Sequence, residues 1–148
     1  MSSRDYMLEA IALATKAADF GEVPVGAVVV KNGEIIGRGY NTRETEKSIL
    51  GHAEINAIRE ATVHIGDWRL EGCDLYVTLE PCPMCAGAII NARIGRVFFG
   101  AYDSVMGSFQ SVADFSVLGY PNSPEIHGGI LETDCKQLLE DFFETLRK

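Results

Sequence analysis

The chain has 148 residues, a formal net charge of −8 and a pI of about 4.8. Its length suits one domain, 1–148, that buries a core without disulfides. The acidic charge argues against broad electrostatic binding of nucleic acid, although a local basic patch stays open. Because no apolar run approaches the roughly 20 residues of a spanning helix, and the N-terminus lacks signal-peptide features, we expect a cytoplasmic protein without membrane contact.

Periodicity and turn residues predict the order α-β-β-α-β-α-β-(α)-(β)-α along the chain. The first two strands form a hairpin at Asn32-Gly33, a sequence typical of two-residue turns. Strands that alternate with helices predict an α/β fold with a central sheet covered by helices. The predicted helices are 4–20, 52–62, 83–92, 112–118 (short) and 134–147, and the predicted strands are 25–30, 34–40, 74–79, 96–100 and 126–131.

Four cysteines occur, at Cys73, Cys82, Cys85 and Cys135. Two disulfides would account for their number, but nothing marks the chain as secreted. In a reducing cytosol, a Cys-x-x-Cys pair such as Cys82 and Cys85 more often binds a metal ion or does redox work.

The most informative pattern combines His52-Ala-Glu54 with Pro81-Cys-Pro-Met-Cys85. Each half is weak alone, because a histidine at a helix start is usually structural and a Cys-x-x-Cys pair has several uses. Together they match H-x-E…P-C-x-x-C, a signature of zinc nucleobase deaminases.

The spacing of this pattern suits a catalytic zinc site. Cys82 and Cys85 share one face at a predicted helix N-terminus, where the helix dipole favours thiolates. With His52 they supply three ligands and leave the fourth tetrahedral position to water. Glu54 lies two residues from His52 and off its face, which suits a general acid/base better than a ligand.

Two alternatives assign these residues differently. A closed structural zinc site would use Cys73 or His64 as a fourth ligand, but it would give Glu54 no role. A redox role for Cys82 and Cys85 would leave both His52 and Glu54 unused.

From about Tyr6 to Arg147 the chain resembles the bacterial tRNA adenosine deaminases, members of the cytidine-deaminase-like superfamily that form inosine at the wobble position. Besides the metal motif, several stretches carry the resemblance. They include Glu22-Val-Pro-Val-Gly-Ala27, Asn41, Trp68-Arg-Leu70, Tyr76-Val-Thr-Leu-Glu-Pro-Cys82, Met84-Cys-Ala-Gly-Ala88, Ala92-Arg-Ile-Gly-Arg96, Gly100-Ala-Tyr-Asp103, Gly129-Ile-Leu131 and Asp141-Phe-Phe143.

The resemblance implies a three-layer α/β/α fold with a central mixed five-stranded sheet, and a homodimer with one zinc ion per subunit. It implies a tRNA anticodon arm as substrate, with the base flipped out and hydrogen-bonded by Asn41. It also implies site residues: zinc ligands His52, Cys82 and Cys85, a proton shuttle Glu54, and nucleotide contacts Val23, Asp103 and Phe143.

Simpler roles exist for three of the nucleotide contacts. Val23 suits packing at the start of a strand, Asp103 suits a turn, and Phe143 suits a helix core.

One departure from the family bears on the substrate. Members usually carry Asn-His shortly before the last strand, where this chain has Pro121-Asn122. With the acidic charge, this keeps open a deaminase of a free nucleobase, nucleoside or small amino-heterocycle. A non-enzymatic, zinc-stabilised interaction protein is a third hypothesis, but such a protein would have no need of Glu54.

Overall fold

A five-stranded sheet forms the centre of the protein, whose computed structural model describes residues 1–147. Lys148, the last residue of the predicted domain 1–148, lies outside the described residues. No helix in the described part is long and apolar enough to cross a membrane. The strands are β1 (Gly26–Lys31), β2 (Glu34–Tyr40), β3 (Cys73–Leu79), β4 (Arg96–Ala101) and β5 (Glu125–His127), and the helices are α1 (Ser3–Asp19), α2 (Arg43–Glu46), α3 (Ala53–Ile65), α4 (Pro83–Asn91) and α5 (Glu132–Leu146).

The predicted elements are present, with differences at the least periodic segments. The predicted loop after β2 contains the short helix α2, and the predicted short helix near 112–118 is a 3-10 turn at Phe115–Val117. The strand predicted at 126–131 ends early, at His127. A Cβ at Gly128 would lie 2.5 Å from the Phe99 ring, and Gly129 has a φ of +84°, so the regular strand pairing is interrupted there, although the Ile130 amide still donates to the Phe99 carbonyl oxygen at 3.0 Å.

The strand order is β2-β1-β3-β4-β5, which confirms the central mixed five-stranded sheet. β1 pairs antiparallel with β2 and β3, whereas β3, β4 and β5 are parallel. In parallel sheets, ligands bind beyond the carboxyl ends of the strands. α4 follows the carboxyl end of β3, so its N-terminus lies at that edge.

Helices cover both faces of the sheet, which confirms the three-layer arrangement. Successive residues of a strand point to opposite faces. Ala27 and Val29 of β1 belong to one core cluster and Val28 and Val30 to the other. The first cluster includes Ala53, Ala57, Ala86 and Ile89 of α3 and α4, and the second includes Tyr6, Met7, Ala10 and Cys135 of α1 and α5.

Helix α3 lies unusually close to β2. A Cβ at Gly39 would lie 2.4 Å from the Ala53 carbonyl oxygen, and one at Gly37 would lie 2.3 Å from that of Ala57. Only glycine permits this approach, which fixes the N-terminus of α3 against the sheet.

Candidate metal centre and active site

A cavity of about 440 Å³ opens at the carboxyl edge of β3 and β4. It contains the metal motif and two loops, one after β2 and one after β4. The lining residues are Val23, Val25, Asn41, Arg43, Ile49, His52, Ala53, Glu54, Leu79, Glu80, Cys82, Pro83, Met84, Asp103 and Met106.

The three predicted zinc ligands come together in this cavity. His52 Nδ1 lies 3.6 Å from Cys82 Sγ and 3.5 Å from Cys85 Sγ. A tetrahedral zinc ion with Zn–S near 2.3 Å and Zn–N near 2.0 Å would separate nitrogen and sulfur by about 3.6 Å. The two observed separations therefore fit one zinc ion held by these residues.

Both helix N-termini carry ligands. His52 is the N-cap of α3 and Cys82 the N-cap of α4, with Cys85 in the first turn. The hydrogen bond with Cys85 lowers the pKa of Cys82 to about 4, and the same bond raises the pKa of Cys85. The hydrogen bond with Cys82 raises the pKa of His52. Cys82 is thus the cysteine that most readily becomes a thiolate, the form that binds a metal cation.

Glu54 lies in the first turn of α3 and lines the cavity, but it is not part of the ligand cluster. Its side chain is only 4% exposed. Burial raises the pKa of Glu54 to about 7, whereas its own amide and a hydrogen bond with Cys85 act in the opposite direction. A carboxyl group so placed can exchange protons with a molecule bound beside the ligands.

The structure contradicts the closed zinc site. Among the described residues, the cluster of potential ligands at this position contains His52, Cys82 and Cys85 alone. Cys73 is buried in the core at the start of β3, and His64 lies in the last turn of α3, at the opposite end from His52.

Asn41 and Val23 lie together in the cavity wall. The Asn41 side-chain amide donates to the Val23 carbonyl oxygen at 3.3 Å, and its carbonyl accepts from the Arg43 amide at 3.1 Å. Val23 also packs against the core, so its simpler role holds alongside its place in the cavity.

Asp103 lines the cavity and is also the turn residue that its simpler role describes. Its Oδ1 accepts from the amides of Val105 and Met106 at 3.0 and 3.2 Å. Phe143 is not among the lining residues. It lies on α5, 41% exposed, against the ring of Phe142, so it is not a core residue.

The sequence reasoning missed Glu80 and Arg43, which line the cavity, and Glu22, a buried carboxylate that is not among the lining residues. Glu22 accepts from the amides of Glu44 and Thr45 at 3.0 and 2.6 Å and so holds α2. Glu80 binds the loop after β4, and Arg43 lines the cavity. The sequence does contain one sign of a buried carboxylate, because Glu80 directly follows an apolar strand. A buried acid is rare unless it is paired, so this position indicates that Glu80 has partners.

The family model described as the cytidine and deoxycytidylate deaminase zinc-binding region matches residues 1–101. The tRNA-specific adenosine deaminase of Bacillus subtilis is 49% identical over 97% of this chain and 89% of its own length. That of Streptococcus pyogenes serotype M1 is 42% identical, over 97% and 84%.

Solved structures agree. One from studies of A-to-I editing by tRNA:A34 deaminases is 41% identical over 91% of this chain and 99% of that chain, with a TM-score of 0.87. A guanine deaminase from Bacillus subtilis is 37% identical over 83% and 73%, with a TM-score of 0.68. With the family match and the fitted ligand cluster, these similarities show that the chain belongs to the cytidine and deoxycytidylate deaminase family of zinc-binding enzymes.

Proposed function

We propose that this protein is a zinc-dependent hydrolytic deaminase that converts the wobble adenosine of tRNA, A34, to inosine and releases ammonia. The observation that carries the substrate is the 49% identity to a tRNA-specific adenosine deaminase across 97% of the chain. The ligand cluster supports the chemistry, because three protein ligands are typical of catalytic rather than structural zinc sites.

His52, Cys82 and Cys85 hold the ion in this proposal. When bound, zinc supplies a Lewis acid that makes water reactive near neutral pH. Glu54 accepts a proton from the attacking water and passes it to a ring nitrogen as the oxygen bonds to the amine-bearing carbon. It then takes the remaining proton of the added hydroxyl and delivers it to the amine, which leaves as ammonia when the C–N bond breaks. Its burial beside the ligands supports this role, since proton transfer needs close contact with the reacting atoms.

The substrate base enters the cavity flipped out of its stack, as anticodon loops readily allow. The cavity volume of about 440 Å³ suits a base with part of its ribose. Asn41 reads the base edge, Val23 packs against it and Asp103 contacts the ribose. Arg43 is the one Lys or Arg side chain among the lining residues. It gives this acidic protein a local positive charge for a phosphate.

Three further proposals follow from the same function. Phe143 contacts the nucleotide outside the cavity, which its exposure allows. The protein is a homodimer, consistent with exposed apolar side chains such as Val63 and Val105, and light scattering after size exclusion would measure its mass. It works in the cytoplasm, where free cysteines such as Cys82 and Cys85 stay reduced.

Mass spectrometry of reaction products tests the proposed substrate. Zinc-loaded protein is incubated with an anticodon stem-loop carrying adenosine-34, and in parallel with free adenine, adenosine, guanine and cytosine. A stem-loop with guanosine-34 is the matched control. We expect inosine in the adenosine-34 stem-loop and no other conversion.

A deaminase of small molecules is the second candidate, favoured by the likeness to a guanine deaminase. Conversion of a free base or nucleoside, with the stem-loop unchanged, would establish this candidate and reject the first. The Pro121-Asn122 dipeptide would then be the first place to look for the difference in specificity.

A further inference from the structure

Glu80 is a buried carboxylate that the proposed chemistry does not use. It directly follows β3 and precedes the ligand loop at Pro81-Cys82, and it is 2% exposed. Burial of a carboxylate is costly unless hydrogen bonds replace its water. The partners of Glu80 therefore indicate what its burial achieves.

All the hydrogen bonds to the Glu80 carboxylate come from the loop after β4. Oε1 accepts from the Asp103 amide at 3.1 Å and from the Ser111 hydroxyl. Oε2 accepts from the amides of Phe109 and Ser111 at 3.2 and 2.9 Å. The four donors span both ends of residues 103–111, so one carboxylate closes this segment into a loop.

Besides the bonds to Glu80, this segment is held by hydrogen bonds of its own turns, such as that from the Gly107 amide to the Asp103 carbonyl oxygen at 3.0 Å, and by the Ser108 amide, which donates to the Pro81 carbonyl oxygen at 2.9 Å. It contains no helix, and its one strand-like contact is the isolated bridge between Phe109 and Asp114. Backbone amides that are buried need a partner. Glu80 supplies it, because an ionised carboxylate accepts several bonds and donates none.

Gly107 provides a second, independent indication that the loop is built around this carboxylate. A Cβ at Gly107 would lie 2.4 Å from the Glu80 carboxyl carbon and 2.4 Å from the Asp103 carbonyl oxygen. Neither atom can easily move, since one belongs to a carboxylate with four hydrogen bonds and the other to the backbone. The loop therefore packs directly against Glu80, with no room for a Cβ at position 107.

The same loop forms one wall of the cavity, through Asp103 and Met106. The predicted zinc ligands lie outside this loop, at the N-termini of α3 and α4. We propose that Glu80 is a positioning residue for the substrate: it holds residues 103–111 at the distance from the metal ligands at which the nucleotide fits. This inference rests on the proposed function. It gives Glu80 a role in substrate binding, exerted through the loop, and no role in the chemical step.

Three variants test the role. Glu80→Gln keeps the shape of the side chain but replaces one acceptor oxygen with an NH2 group, a donor that cannot accept a bond from the loop's N–H groups. Ser111→Ala removes one donor at an exposed position and is the variant of choice if Glu80→Gln folds poorly. Ser116→Ala is the matched control, because its hydroxyl also donates to a carboxylate, that of Asp114, but not to Glu80.

The measurements are zinc per chain, KM and kcat for the adenosine-34 stem-loop, and hydrogen–deuterium exchange. For Glu80→Gln we expect zinc to stay bound and KM to rise about tenfold or more, since small displacements of positioning groups cost up to about a hundredfold. Exchange should quicken at residues 103–111. Ser111→Ala should shift KM and exchange less, in the same direction, and Ser116→Ala should change neither.

Two results would overturn the role. A merely structural Glu80 would lower the folded fraction, and hence the apparent kcat, without changing KM. Loss of zinc with unchanged exchange at residues 103–111 would mean that Glu80 acts on Cys82 instead.

If wild-type protein leaves the stem-loop unconverted, the proposed function fails and this inference with it. If wild type converts the stem-loop and the variants keep its KM, only the role of Glu80 fails.

Discussion

The metal ligands and the cavity walls beside them are held by different means. His52, Cys82 and Cys85 lie at the first turns of α3 and α4, whose backbones are fixed by their own hydrogen bonds and by the sheet. The walls are the loop after β4 and the segment after β2 that contains the short helix α2, and their amides are bound by the buried carboxylates of Glu80 and Glu22. Helix ends give fixed ligand positions for a metal, whereas loops held by one side chain can change with the substrate.

If the ligand cluster and the cavity walls are held by different means, a substitution in the ligand cluster should abolish zinc binding and leave the fold intact. Cys82→Ala removes one of three ligands, so we expect loss of zinc and of all deaminase activity, while the sheet stays folded. Zinc per chain by elemental analysis and far-UV circular dichroism measure the two effects. Cys135→Ala is the control, because that thiol lies on α5, in the core cluster on the opposite face of the sheet from α3 and α4. Full zinc content in Cys82→Ala would contradict the assigned site.

A substitution of Glu54 tests whether proton transfer can be lost while zinc stays bound in the same region. Glu54→Gln retains the size of the side chain but removes proton transfer, so zinc should stay and kcat should fall by about 10²–10⁴-fold. Single-turnover rates on the stem-loop measure the loss. Glu60→Gln, an exposed change on the same helix, should leave the rate unchanged. Normal turnover in Glu54→Gln would remove Glu54 from the mechanism.

The same contrast explains how much could be predicted from the sequence. The cluster of potential ligands was predictable because His52-Ala-Glu54 and Pro81-Cys-Pro-Met-Cys85 are short motifs whose spacing reflects local helix geometry. The central mixed five-stranded sheet and the three layers were expected from the family resemblance and are confirmed, whereas the strand order was not predicted. Glu22 and Glu80 were not recognised, because their donors lie 22 to 31 residues away in sequence and no local pattern marks such a pairing.

Two details of the fold escaped prediction for physical reasons. β5 ends at His127 because Gly128 passes close to the Phe99 ring, a tertiary contact that no local apolar pattern reveals. The position of Phe143 on an exposed part of α5 depends on how that helix packs, and helical periodicity alone suggested a core.

A substitution of Asn41 tests whether a residue of the cavity wall affects substrate binding without affecting zinc. Asn41→Ala removes the proposed hydrogen bond to the base and the observed link between Val23 and Arg43, so KM for the stem-loop should rise about tenfold, near 1.4 kcal/mol. Zinc content should not change. Gln137→Ala, which removes an exposed amide on α5, is the control. If kcat falls and KM stays constant, Asn41 acts on the chemistry and the separation between ligands and walls fails.

The smallest expected effect on turnover belongs to Glu22, the carboxylate of the other wall. Burial raises its pKa, but the hydrogen bonds from Thr45 and Glu44 outweigh this and keep the pKa of Glu22 below its ordinary value of 4.5. A carboxylate whose pKa falls on folding stabilises the protein above the unfolded pKa. That stability is lost as the pH drops through the lower, folded value.

Glu22→Gln should therefore lower the free energy of unfolding by about 1–2 kcal/mol at pH 7, because a hydrogen bond to a charged acceptor becomes neutral. Urea titrations from about pH 7 to pH 4 would measure the difference between the two proteins, which should stay constant to about pH 5 and shrink below it. Glu44→Gln is the control, since its ion pair with Arg43 is exposed and worth less than about 1 kcal/mol. A difference that persists in acid would mean that packing, and not the charge of Glu22, holds α2 in the cavity wall.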